Sequence, residues 1–190
     1  MASILNVDQI NNAAGTSAVT IDPSTGKPSF PNGVTLPAGA GGKVLQVAQS
    51  RKTDVTFTTT STSFVSVPDL SVTLTPASTS SKFLVTASVS VGAYWWAALG
   101  YFGVQANGAN IAGDGSNLWV YQYGADSSNS TQETMQWSEE VLYAPSTTSP
   151  ITFQVVLASS TASYALCVNR QYAAANKRGN SWITVREIAG

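Results

Sequence analysis

Four groups of residues in this chain could do chemistry. They are a carboxylate pair, a glycine run ending in lysine, a lone cysteine and a dense set of aromatics. Glu139 and Glu140 are adjacent. Neighbours in a strand point to opposite faces, so the two do not make an acid/base pair by themselves. Glu133 and Asp126 could approach either one, but no spacing requires it. The expected role is a solvated face, with one carboxylate paired to Arg186 or Arg170. The run Gly39-Ala40-Gly41-Gly42-Lys43 has the outline of a phosphate loop and fails in its particulars. Pro37 stands where the first glycine belongs, Val44 replaces the hydroxyl residue, and a strand follows instead of a helix. It reads as a hinge. Asp114, in AGDGSN, offers one carboxylate to a cation that wants six to eight oxygens, so a turn is expected. Asn129-Ser130-Thr131 has the form of a glycosylation acceptor in a chain with no secretory start, and reads as a polar loop. Cys167, in YALCV, is the single cysteine and reads as a small buried apolar residue. No histidine is present to shuttle protons or bind metal. Catalytic residues, metal ligands and cofactor are therefore all expected to be none.

The aromatics are the best candidates for a binding surface. Tyr94, Trp95 and Trp96 are followed by Tyr101 and Phe102, then by Trp119, Tyr121 and Tyr123. Such rings can stack on sugars or fill a partner's cavities. They can equally form the core and a subunit contact, and an extended backbone would send Trp95 and Trp96 to opposite sides. Both readings stay open.

The elements that must position these residues are strands. From Lys43 onward the apolar period is two. Phe83, Val85, Ala87, Val89 and Val91 alternate with Leu84, Thr86, Ser88 and Ser90. Phe153, Val155 and Leu157 alternate less cleanly with Gln154, Val156 and Ala158, as in a strand covered on both sides. Asn107-Gly108 is the strongest hairpin signal, because a type I′ turn needs positive φ twice. Trp182 to Ile188 reads as a last strand. The one short helix candidate is QYAAANK, from Gln171 to Lys177. About eight to ten strands at this spacing predict an all-β, antiparallel jelly-roll sandwich over 43–190.

Residues 1–42 differ. Pro23, Pro28, Pro31 and Pro37 fall here, half of the eight prolines, among many glycines. Extended chain with turns is predicted, one at Asp22-Pro23-Ser24-Thr25-Gly26 and one at Pro31-Asn32-Gly33. The apolar residues, among them Ile4, Leu5, Val7, Ile10 and Phe30, are too sparse for a private core. They suit an anchoring segment that orders against another surface.

Composition narrows the partners. Only 10% of the 190 residues are charged and the net charge is −1. Typical domains carry about 25% charged residues. Weak mutual repulsion permits self-association. A basic face for nucleic acid is lacking. Met1 to Ile10 lacks the basic start and apolar run of a signal peptide, and no stretch reaches membrane-spanning length. Synthesis in a cytosol is expected, with no membrane insertion. Few lysines guard the strand edges, so cover by a neighbouring subunit is expected.

Several phrases resemble virion proteins of tailed bacteriophages. The start MASILNVDQINNAAGTSAVTIDPSTGKPSFPNGVTLP resembles the attachment segments of fibre and appendage proteins. GGKVLQVAQ, PASTSSKFLV, FGVQANGANIAG and RGNSWITVREIAG resemble their C-terminal knob, which is similar to the trimeric jelly roll of the tumour-necrosis-factor and complement head family. The resemblance implies a homotrimeric structural appendage of the virion, either a capsid decoration or a short tail fibre. It implies attachment to other virion proteins through residues 1–42 and a head formed by 43–190. A host-receptor module binding surface glycan at a tail tip is the alternative. The segment from Leu118 to Gln136 has no counterpart, and its place in such proteins is a variable outward loop.

Overall fold

A computed structural model describes residues 9–11, 15, 17–30, 43–93, 99–111, 119–122, 134–171 and 179–190. The chain divides into two compact units, 1–41 and 42–190. The short helix expected within 171–177, the turn at 31–33 and the glycine run before Lys43 lie outside the described residues, apart from Gln171 itself.

The first unit holds a small antiparallel sheet, where extended chain with turns was expected. Its strands are β1 (Gln9–Asn11), β2 (Ser17–Ile21) and β3 (Pro28–Ser29), in that order. The β2–β3 turn follows from its sequence. Asp22 Oδ1 accepts the amides of Ser24 and Thr25 at 2.8 and 2.9 Å, and Gly26 takes φ 68° to close the loop. Residues 10–11, 15 and 17–30 of this unit are all exposed or half-buried.

The second unit is a sandwich of two sheets. Its strands are β4 (Val44–Lys52), β5 (Thr58–Thr59), β6 (Val65–Leu74), β7 (Lys82–Ala93), β8 (Leu99–Ala106), β9 (Ala109–Asn110), β10 (Trp119–Gln122), β11 (Thr134–Tyr143), β12 (Ile151–Ser159), β13 (Leu166–Val168) and β14 (Ser181–Ile188). One sheet runs β10-β8-β12-β6, with β9 on β8. The other runs β4-β14-β7-β13-β5, with β11 on β7. Residues 83–88 of β7 pair with both β14 and β11, and residues 91–92 pair with both β13 and β11. A strand has two edges, so β14 and β13 share one edge of β7 and β11 takes the other. The eight longer strands alternate between sheets as the chain proceeds: β4, then β6, β7, then β8 and β10, β11, β12, β14. That order is a jelly roll, as the sequence predicts.

The core forms where the period-two rows face each other. Phe83, Val85, Ala87, Val89 and Val91 of β7 meet Phe102 and Val104 of β8 and Phe153, Val155 and Leu157 of β12. Phe83 and Phe153 pack at a ring distance of 5.2 Å, and Phe102 meets Trp137 of β11 edge to face at 5.8 Å. Each such buried ring stabilises by about 2–3 kcal/mol. Cys167 is fully buried, and burial pushes its thiol pKa up. The β8–β9 hairpin turns on Asn107 (φ 49°) and Gly108 (φ 83°), the two positive values a type I′ turn needs.

One end of the sandwich is tied by Asn169, itself in the left-handed region (φ 62°). Its Nδ2 donates to the carbonyls of Lys52 and Asp54, its Oδ1 accepts from Ser181 Oγ at 2.6 Å, and its amide donates to Ser90 O. Nearby, Lys52 is almost fully buried and its Nζ lies 2.8 Å from Asp54 and 3.4 Å from Asp69.

Candidate association surface

The outward face of the six-stranded sheet is legible row by row, because cross-strand partners share a face. Val47, Arg186, Leu84 and Leu142 form one row across β4, β14, β7 and β11. Gln49, Thr184, Thr86 and Glu140 form the next, and Arg51, Trp182, Ser88 and Ser138 the third. The polar rows satisfy themselves laterally. Gln49 Nε2 donates to Thr184 Oγ1 at 2.7 Å, Thr86 Oγ1 donates to Glu140 Oε2 at 2.9 Å, and the Ser88 and Ser138 hydroxyls pair at 2.7 Å. In the first row Arg186 donates to Thr86 of the next, and the three apolar members have no such closure. Val47 is 58% exposed and Leu142 59%, with Val44 and Leu45 also exposed beside Val47 on β4. Exposed apolar side chains on one sheet face make it the candidate for a contact.

The edges differ in the same direction. The β6 edge is blunted: four residues, Val67 to Leu70, stand between partners that only Val155 separates on β12, and Asp69 takes φ 63°. This bulge turns Asp69 toward β4, where Ser50 Oγ donates to its carbonyl and Lys52 approaches its carboxylate. The β11 edge is straight. Its ten residues keep unbroken register with β7, and among the described residues it pairs with no other strand. Its protection is Glu139, aligned with the core residue Ala87, whose pKa burial raises. An inward carboxylate on an edge strand discourages indiscriminate strand addition.

Glu139 and Glu140 thus lie on opposite faces, as expected of strand neighbours. Arg186 does not pair directly with Glu140, the carboxylate on its face. Thr86 stands between the charges: Arg186 Nη1 donates to Thr86 Oγ1 at 3.3 Å, and that hydroxyl donates on to Glu140. Among the described residues no three of Asp, Glu and Cys gather as a metal site. Asp114, Asp126, Asn129 and Glu133 lie outside the described residues.

The other residues expected to act are distributed as follows. Ile10 and Phe30 are exposed, at 51% and 46%. Ile4, Leu5 and Val7 lie outside the described residues, as do Tyr94, Trp95, Trp96 and Tyr123. Trp119 and Tyr121 belong to β10, where the backbone pairs them with Phe102 and Gly100. Sequence reasoning did not single out Val47 or Leu142. The available signal was in VLQVAQ, where apolar residues occur at both parities, and in Leu142, which ends the otherwise polar row Gln136, Ser138, Glu140.

No protein-family model matches the chain, and no curated protein sequence matches it. Among solved structures, "Structure of infectious bursal disease virus Gx strain" is similar over 77% of this chain, at 10% identity and a TM-score of 0.36. The match covers 37% of that chain's length. At that distance the likeness carries no functional argument.

Proposed function

We propose that this protein is a structural component of a bacteriophage virion, a homotrimeric surface appendage held to the particle by its N-terminal unit. The observation that carries the self-association is the outward row Val47, Leu84 and Leu142 beside the straight, singly paired β11. A closed ring of copies would cover both, and closure leaves no growing end. The N-terminal unit supports the anchoring role, because residues 10–11, 15 and 17–30 are exposed or half-buried and present Ile10 and Phe30 to solvent. The phage assignment is supported by the sequence resemblance at both ends of the chain. Capsid shell and tail are both compatible docking places.

Two measurements test the reading. Sedimentation at micromolar concentration should give three times the 19.8 kDa chain mass. A chain lacking residues 1–36 should keep that stoichiometry and fail to join particles. A monomer would refute the oligomer, and full occupancy of virions by the truncated chain would refute the anchor.

A further inference from the structure

We propose that the outward face of the five-stranded sheet is a binding site for an uncharged glycan. This site lies on the opposite layer of the sandwich from the association row and does not depend on self-association. Its rows are set by register. Tyr101 aligns with Ala158 on β12, and Phe64 immediately precedes β6 beside the same residue's row. The two rings meet edge to face at 6.5 Å, with Phe64 37% exposed. One step along, Val156 lies between Ser66 and Gly103. Beyond it come Ser71, Gln154, Gln105 and Asn110, and then the Thr73–Thr152 hydroxyl pair at 2.8 Å.

Three properties of this face point to sugar. First, the amides form a directed chain: Gln154 Nε2 donates to Gln105 Oε1 at 3.1 Å, and Gln105 Nε2 donates to Asn110 Oδ1 at 2.9 Å. One end therefore offers the Gln154 carbonyl and the other the Asn110 amino group. A sugar hydroxyl donates and accepts, so neighbouring hydroxyls can use both ends. Bonds in such a chain polarise one another and strengthen the outer contacts. Second, the Phe64–Tyr101 pair gives an aromatic platform for the C–H face of a pyranose at one end of the ladder. Third, none of these aligned residues is Asp, Glu, Lys or Arg, and Asp69, in the β6 bulge before Ser71, is turned away to Lys52. Among the described residues of this face an anionic ligand finds no cation. Val156 and Ala158, the apolar residues in the middle of this face, are 1% exposed and so offer no open apolar centre to a protein partner.

The test is affinity electrophoresis of the full chain in native gels containing dextran, laminarin or galactomannan, with alginate as the anionic comparison. Retardation is expected in at least one neutral polysaccharide and not in alginate. Tyr101→Ala and Gln154→Glu should each weaken it about tenfold, the scale of one lost stacking or hydrogen-bonding partner. Gln154 is only half-buried, so the second variant keeps the test valid if Tyr101→Ala misfolds. Migration unchanged in all three neutral gels would overturn the proposal. So would retardation that survives Gln154→Glu, or equal retardation in alginate. A monomer that is retarded would remove the trimer reading and leave this one standing.

Discussion

At position 187 a carboxylate is shut inside the sandwich, and among the described residues it forms no ion pair. Burial alone would raise its pKa. The amide of Ala77 at 2.7 Å and Nε2 of Gln46, with the Ser81 hydroxyl close by, outweigh that and hold it below its ordinary value. The charged form is thus the one the fold accepts. Asp54 is held low in the same way, first by Lys52 and then by Thr56. A carboxylate with a depressed folded pKa stabilises above its unfolded pKa, and that stabilisation is lost as pH falls through the folded value. Stability should therefore hold from neutral pH to about 5 and decline below roughly 4.5. Glu187→Gln leaves Gln46 facing a poorer acceptor and should cost about 1–3 kcal/mol at pH 7. Urea unfolding of both proteins at pH 7 and pH 3.5 checks this, since the difference between them should shrink in acid. A constant difference would mean that the charge at 187 plays no part. Nothing in WITVREI marks this glutamate as buried, because the donors that hold it come from 46 and 77, far off in the chain.

Elements in this molecule were legible in proportion to how local their causes are. The alternation in β7 and the Asn107-Gly108 turn are written in a few consecutive residues, and both form as read. The strand β11 was harder, because Glu139 interrupts the inward row that Met135, Trp137, Val141 and Tyr143 would otherwise make. The bulge in β6 and the close crossing at Gly92 depend on partners distant in sequence, and no pattern announces them. Two glycine substitutions separate the local from the non-local. At Gly108 a Cβ meets open space, so Gly108→Ala adds only the strain of φ 83°, about 1–2 kcal/mol. At Gly92 the backbone conformation is ordinary, but a Cβ would stand 2.2 Å from the carbonyl oxygen of Arg170. Backbone must move there, and β13, which pairs with β7 at Gly92, moves with it. Gly92→Ala should cost more than about 3 kcal/mol. Thermal melts at one fixed protein concentration should show Gly108→Ala a few degrees below the parent and Gly92→Ala much lower, or insoluble. Equal shifts would mean that the 92–170 crossing yields easily.

For the whole molecule, composition carried more than any motif. Low charge and few edge lysines are the ground for expecting self-association, and the exposed apolar residues Val47 and Leu142 lie on one sheet face. Sequence could not say which side, since Val47 and Leu142 become neighbours only through Arg186 and Leu84 on two intervening strands. If copies close over this row, an aspartate at Leu142 is buried beside Leu84 with no cation opposite it, at a cost of several kcal/mol per interface, and one at Val47 is buried against Arg186 at a smaller cost. Val47 and Leu142 are exposed within the single chain, so Val47→Asp and Leu142→Asp should leave the fold of each chain intact. Each variant is expected to shift micromolar protein from trimer to monomer in sedimentation, with the strand signal in circular dichroism unchanged. The same change at Thr73, on the other layer, serves as the control and should leave the trimer whole. A trimer that survives with both aspartates present would place the contact elsewhere, and the unpaired edge of β11 would then be the surface to alter next.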